Sequence, residues 1–257
     1  MVIISVKKEL KMLYADSHIH SQDYKTQDVK DIVNTAQKNG VSVFINASAH
    51  PSDWAKVAKL ADTYSSIVPA FGVHPWYIAE KPKNWLKELE QYLKKYPKAW
   101  VGECGIDRLK NKNVNAQSEI LLPQIELAQT LNRPLIIHAV KADAIMELLF
   151  GKLPPHTIFH SFPGSVEWGK KIQQSGFYIG LNFSVLRKKN ANEIINSLNL
   201  AQILLETDGP YQSGMPNTET LPQNLPFLAE KIAQIRQISL TELQNILSEN
   251  QHRFIGE

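Results

Sequence analysis

Three observations predict an α/β protein of eight βα units closed into a (β/α)8 TIM barrel. First, short apolar runs rich in β-branched and aromatic residues alternate with longer segments of helical periodicity. Second, the polar residues His18, Asn46, His74, Glu103, His138, His160, Asn182 and Asp208 end these runs or lie just beyond them. They follow one another at intervals of 28, 28, 29, 35, 22, 22 and 26 residues. Each interval is one strand and one helix, and strict alternation implies a parallel sheet with right-handed crossovers. Third, the 257 residues match the size of one such barrel, typically about 250 residues. An open doubly wound sheet would use the same elements. Its dinucleotide-binding form needs a glycine-rich phosphate loop after the first strand, and none is present.

The strands are expected at 13–15, 41–45, 67–71, 100–102, 135–137, 157–159, 177–179 and 203–205. Helices are expected at about 26–39, 51–65, 83–96, 116–131, 141–150, 164–175, 190–199, 222–237 and 241–250. Asn115 or the loop before it caps the fourth helix, and Thr241 with Gln244 forms a capping box for the last. The stretch from Pro210 to Pro226 reads as a long loop after the eighth strand. Met12 offers an alternative start, so residues 1–11 read as an extension outside the fold and 12–257 as a single barrel domain.

Apolar residues make up 43% and charged residues 21%, enough apolar side chain to offset ordering entropy and exclude global disorder. The net charge of +3 leaves the question of a polyanionic partner to the placement of charges. A lone cysteine makes no internal disulfide and points to a reducing compartment. No apolar run approaches the roughly 20 residues of a membrane span, and VIISV is shorter than a signal-peptide core of about 7–15 residues. A cytoplasmic protein is expected, with no membrane association and no obligate protein partner.

The strand ends carry the chemistry. In a barrel they converge on one mouth, where catalytic residues from several strands meet. His18 and His20 are two residues apart, so both imidazoles can face inward. Glu103, His138, His160 and Asp208 follow at the ends of strands four, five, six and eight. Buried ionisable groups are costly unless paired or metal-bound, and one metal site explains them more simply than several unrelated polar networks. Six nitrogen and oxygen ligands on one rim can hold two divalent cations. Without thiolate they suit Zn²⁺, Mn²⁺, Ni²⁺ or Fe over Ca²⁺, with Mg²⁺ also allowed. Cys104 alternates away from Glu103 and is expected as a small buried apolar residue.

The segments ADSHIH, FGVHPW, VGECGID, RPLIIHA, FHSFPGS and LLETDGPY run in order from residue 15 to 211. As a set they resemble the TatD family of metal-dependent hydrolases and deoxyribonucleases. The resemblance implies a two-metal site in which His18 and His20 bind one ion, Glu103 bridges both, and His138 and His160 complete the second. It implies that Asp208 binds metal and takes the proton from the nucleophilic water, and that His74 in GVHP contacts substrate or phosphate. Two segments depart from the family pattern. His138-Ala139-Val140-Lys141 lacks the arginine of the usual His-x-Arg, leaving Lys141 as its replacement in substrate binding without the bidentate fork. Gln223-Asn224-Leu225-Pro226 stands where Arg-Asn-Glu-Pro is common.

DNA is the expected substrate. Arg108, Lys110, Lys112, Lys141, Arg187, Lys188 and Lys189 fall on loops expected around the mouth and would form a cationic rim for phosphates. Trp76, Tyr77, Phe162, Phe183 and Tyr211 on the same loops could stack on bases. The alternative is a hydrolase of a small-molecule ester or cyclic amide on the same barrel, since the site could equally polarise a carbonyl. A non-catalytic barrel would not need Asp208 as a base beside a complete ligand set. His50 reads as a loop residue, and His156 and His252 read as structural.

Overall fold

The structure, a computed structural model, describes residues 14–162, 164–213, 215 and 218–255. The expected extension over 1–11 lies outside the described residues. Eight strands form one parallel sheet in sequence order: β1 (Tyr14–Ile19), β2 (Val41–Ala47), β3 (Ile67–Phe71), β4 (Trp100–Asp107), β5 (Leu135–Val140), β6 (Thr157–Phe159), β7 (Tyr178–Leu181) and β8 (Ile203–Leu205). The helices between and after them are α1 (Val29–Lys38), α2 (Trp54–Thr63), α3 (Trp85–Lys95), α4 (Val114–Thr130), α5 (Asp143–Leu149), α6 (Val166–Gln174), α7 (Ala191–Ser197), α8 (Leu225–Arg236) and α9 (Leu240–Ile255).

The sheet curls into a nearly closed barrel. Between β1 and β8 a parallel bridge joins Ile19 and Gly209. Asp208 N–H donates to His18 O (2.9 Å) and His20 N–H to Gly209 O (2.7 Å). Below them Thr207 donates both its N–H (2.9 Å) and its hydroxyl to the buried Asp16 carboxylate. Burial pushes Asp16 up to about 7 against these hydrogen bonds.

Helices form where one face is apolar: in α3 the buried residues are Trp85, Leu89 and Leu93, one per turn. The cap of α4 falls in the loop before Asn115, where Asn113 accepts from Ala116 N–H. One expected cap shifts: at α9 it is Ser239, which accepts from Glu242 N–H, and not Thr241. Both caps sit three residues before the N–H they satisfy, as cap geometry demands.

A cluster distinct from the sheet–helix layer joins Ile45, Ala70, Trp100, Ile136, Ile158, Tyr178 and Leu204 from β2 to β8 inside the barrel. Phe254 of α9 closes its lower end, with ring centroids 4.9 Å from Trp100 and 4.8 Å from Tyr178. His156 packs there too, 5.8 Å from Phe254, at the end opposite the mouth.

β4 is longer than the expected 100–102 and carries Glu103 inside the strand. Gly105 lets it pass β5, since a Cβ there would lie 1.9 Å from His138 O. Cys104 faces the outer layer and is buried, its thiol donating to Ile136 O (3.6 Å).

Candidate metal centre

Six ionisable side chains from β1, β4, β5 and the segments following β1, β6 and β8 meet at the upper end of the barrel. Glu103 is the hub. Its Oε2 lies 3.2 Å from His18 Nε2 and 3.5 Å from His20 Nε2. Its Oε1 lies 2.9 Å from His138 Nδ1 and 2.7 Å from His160 Nε2. Asp208 Oδ1 completes the ring, 3.8 Å from His18 Nε2 and 3.6 Å from His20 Nε2. All the residues expected as metal ligands are thus brought together.

Tautomers follow from the outer partners. His20 Nδ1 faces Ala47 O at 2.9 Å, so it carries a proton there and turns Nε2 inward. His138 Nε2 faces Asp107 Oδ2 at 3.1 Å, so its Nδ1 is the inward atom. His74 is the reverse case. Its Nδ1 accepts Trp76 N–H (3.1 Å), which leaves the proton of the neutral ring on Nε2, 3.2 Å from Glu103 Oε1. His74 therefore donates to the hub carboxylate, although it also belongs to one of the groupings able to hold an ion.

The electrostatics suit a cation. Burial opposes ionisation of Glu103, but His160, His74 and His18 outweigh it and hold the carboxyl well below the usual range. Asp208 is likewise lowered against its burial, by His20, His160 and His18. Burial, helped by His160, pushes His18 down to about 4, and burial pushes His74 down to about 4. Burial also works against protonating His20, yet Asp208 and Glu103 drive it up to about 10. Two anionic carboxylates thus demand positive charge from rings whose inward nitrogens nearly touch: His18 Nε2 and His20 Nε2 are 3.0 Å apart, and His138 Nδ1 and His160 Nε2 3.2 Å apart. Paired nitrogen lone pairs around carboxylates are a donor set that fits a divalent ion. Three groupings present ligand atoms within 4.8 Å of one another: His18, His160 and Asp208; His18, His20 and Glu103; His74, Glu103 and His138.

Three buried carboxylates escaped sequence reasoning. Asp107 accepts from His138 and from Trp76 Nε1 (2.6 Å). Glu206 accepts Ser161 N–H (2.5 Å) and stands 3.7 Å from His160 Nδ1. Asp16 serves the barrel seam. Two of them had a signal in the alternation: Asp16 precedes His18 by two residues, and Glu206 follows Leu204 by two, just past the apolar β8.

The cluster floors a cavity of about 770 Å³ lined at the rim by Trp76, Lys110, Arg187, Lys188 and Tyr211. Trp76 and Tyr211 are about half exposed. The expected cationic rim is smaller than the sequence suggested: Arg108, Lys112, Lys141 and Lys189 are not among the lining residues. Lys141 takes a left-handed φ of 54° and an exposed position, and its carbonyl accepts from Arg108 (3.3 Å). Phe162 is buried, and Phe183 packs half-buried against the core, so neither ring is offered at the mouth as Trp76 is. His50 caps a turn by accepting Ser52 N–H, and His252 lies beside Ser248 O.

Comparison with known proteins places the chain. It is 28% identical to a metal-dependent hydrolase of Methanocaldococcus jannaschii, covering 94% of this chain and 96% of that one. It is 26% identical to the human deoxyribonuclease TATDN3, covering 91% and 90%. The crystal structure of the TatD homologue YjjV from Escherichia coli superposes with a TM-score of 0.89 at 25% identity, covering 96% of this chain and 99% of that one. The model of TatD-related DNases matches residues 15–256, and the chain belongs to that family of metal-dependent hydrolases.

Proposed function

We propose that this chain is a deoxyribonuclease that hydrolyses phosphodiester bonds of DNA at a site holding two divalent ions, drawn from Mg²⁺, Mn²⁺, Zn²⁺, Ni²⁺ or Fe. The observation that carries the reading is the convergence of four imidazoles on the two oxygens of Glu103 at the floor of an open cavity. His18 and His20 would hold one ion, His138 and His160 the other, Glu103 both, and Asp208 would contribute to the first. Bound there, the ions would supply a water of lowered pKa and stabilisation of charge on the attacking and leaving oxygens.

The protein's own groups supply the rest. Asp208, kept ionised by its imidazole neighbours, accepts the proton of the attacking water. His74 holds Glu103 in place through Nε2–H. Lys110 and Arg187 at the rim draw in phosphates, and the exposed rings of Trp76 and Tyr211 suit base stacking. Lys141, outside the cavity lining, would meet the substrate beyond the rim. Residues 12–257 would act as one catalytic unit, and the lone buried Cys104 suits a reducing cytoplasm. Among the described residues no helix is long and apolar enough to cross a membrane.

The test is hydrolysis of end-labelled single-stranded DNA by the wild type and Glu103→Gln, after EDTA treatment and return of Mg²⁺, Mn²⁺ or Zn²⁺. Cleavage by the wild type that depends on metal and is lost in the variant supports the reading. DNA left intact by the metal-loaded wild type contradicts it.

A further inference from the structure

We infer that Asp107 is a positioning residue that locks the inward ring of His138 and the mouth indole of Trp76 into one unit, so that metal retention and the environment of Trp76 are coupled. The inference rests on His138 as a metal ligand and not on DNA as the substrate.

A single oxygen makes the link. Asp107 Oδ2 lies 3.1 Å from His138 Nε2 and 2.6 Å from Trp76 Nε1. An indole nitrogen only donates, so the oxygen accepts from it. Leu109 N–H and Lys110 N–H are aimed at the same carboxylate, which therefore acts as an acceptor toward His138 too; His138 carries its proton on Nε2 and presents Nδ1 to Glu103 and His160.

The carboxylate cannot turn freely. Its other oxygen accepts Leu109 N–H (2.9 Å) and Lys110 N–H (3.0 Å). Its backbone is clamped by Gln117, whose Oε1 accepts Asp107 N–H (2.7 Å) and whose Nε2 donates to Asp107 O (3.3 Å). Capping the loop after β4 would need only Oδ1. The two ring donors come instead from β5 and from the turn after β3, so one side chain ties three consecutive barrel units at the mouth. Lys110 Nζ, 4.9 Å from the centre of the Trp76 ring, extends the same unit to the rim.

The experiment uses the full chain loaded with Zn²⁺, equilibrated against EDTA-buffered Zn²⁺, with bound zinc measured by elemental analysis. Asp107→Asn keeps the shape and removes the charge, and should hold Zn²⁺ about 10–100-fold more weakly. Trp76→Phe removes one neutral donor and should change retention by less than about tenfold. In the Asp107→Asn background it should change nothing, because both act through the same oxygen. Trp76 emission, taken as the wild type minus Trp76→Phe, should shift with Zn²⁺ at the same midpoint as zinc binding and stay constant in Asp107→Asn. A purely structural role for Asp107 would not produce that metal-dependent signal. A folded Asp107→Asn that retains Zn²⁺ like the wild type overturns the inference. So does Trp76 emission that ignores Zn²⁺ in the wild-type difference, a result independent of whether Asp107→Asn folds.

Discussion

Along β5 the inward side chain changes from Ile136 to His138 in two residues. The same step runs from Ile158 to His160 at β6 and from Leu204 to Glu206 and Asp208 at β8. The lower interior is a packed apolar plug stopped by Phe254; the upper interior is a set of carboxylates and imidazoles around Glu103. Burial stabilises the first directly. In the second, burial opposes every charge, and stability comes only from pairing or a bound ion. The lower half therefore lets the barrel tolerate the upper one, and substitutions at the two ends should separate stability from activity.

The largest effect belongs to the upper end. Glu103→Gln should lower metal-dependent hydrolysis by at least about a thousandfold, the several kcal/mol that metal-supported charge stabilisation supplies. Its circular dichroism should stay native; an unfolded variant would erase the contrast between the ends. At the lower end, Phe254→Ala should cost about 3–5 kcal/mol in denaturant unfolding, while the rate per folded molecule stays at the wild-type value. A lost rate at full folding would show that the plug shapes the site.

Chelation sharpens the contrast from the other direction. A ligand at about 100 times its Kd stabilises the folded state by about 2.7 kcal/mol, so EDTA should lower the melting temperature of the wild type and leave that of Glu103→Gln nearly unchanged. Equal shifts in both would detach the stabilising ion from this cluster. The smallest effect is expected for Ile136→Val, about 1 kcal/mol of stability, with metal retention unaltered although the residue lies two positions from His138.

Much of this division was legible in the sequence. All eight strands lie where the β-branched runs predicted them, and the six expected ligands stood out because ionisable residues interrupt or end apolar strands. β4 was read short because Gly102, Glu103 and Gly105 look like the end of a strand; only the surrounding imidazoles make a carboxylate acceptable inside one. Asp107 and Glu206 went unread because their partners, Trp76 and Ser161, come from distant loops. The rim was overdrawn for a similar reason. Loop position does not fix side-chain direction, and a left-handed backbone at Lys141 is invisible to charge counting.

Metal stoichiometry tests the central claim most directly. Full-length protein equilibrated with Mn²⁺ and freed of excess metal should carry two ions per chain by elemental analysis, as a two-metal hydrolytic site requires. Glu103→Gln should carry at most one. A wild type that holds fewer than two ions, or a variant that holds as many as the wild type, would contradict the account.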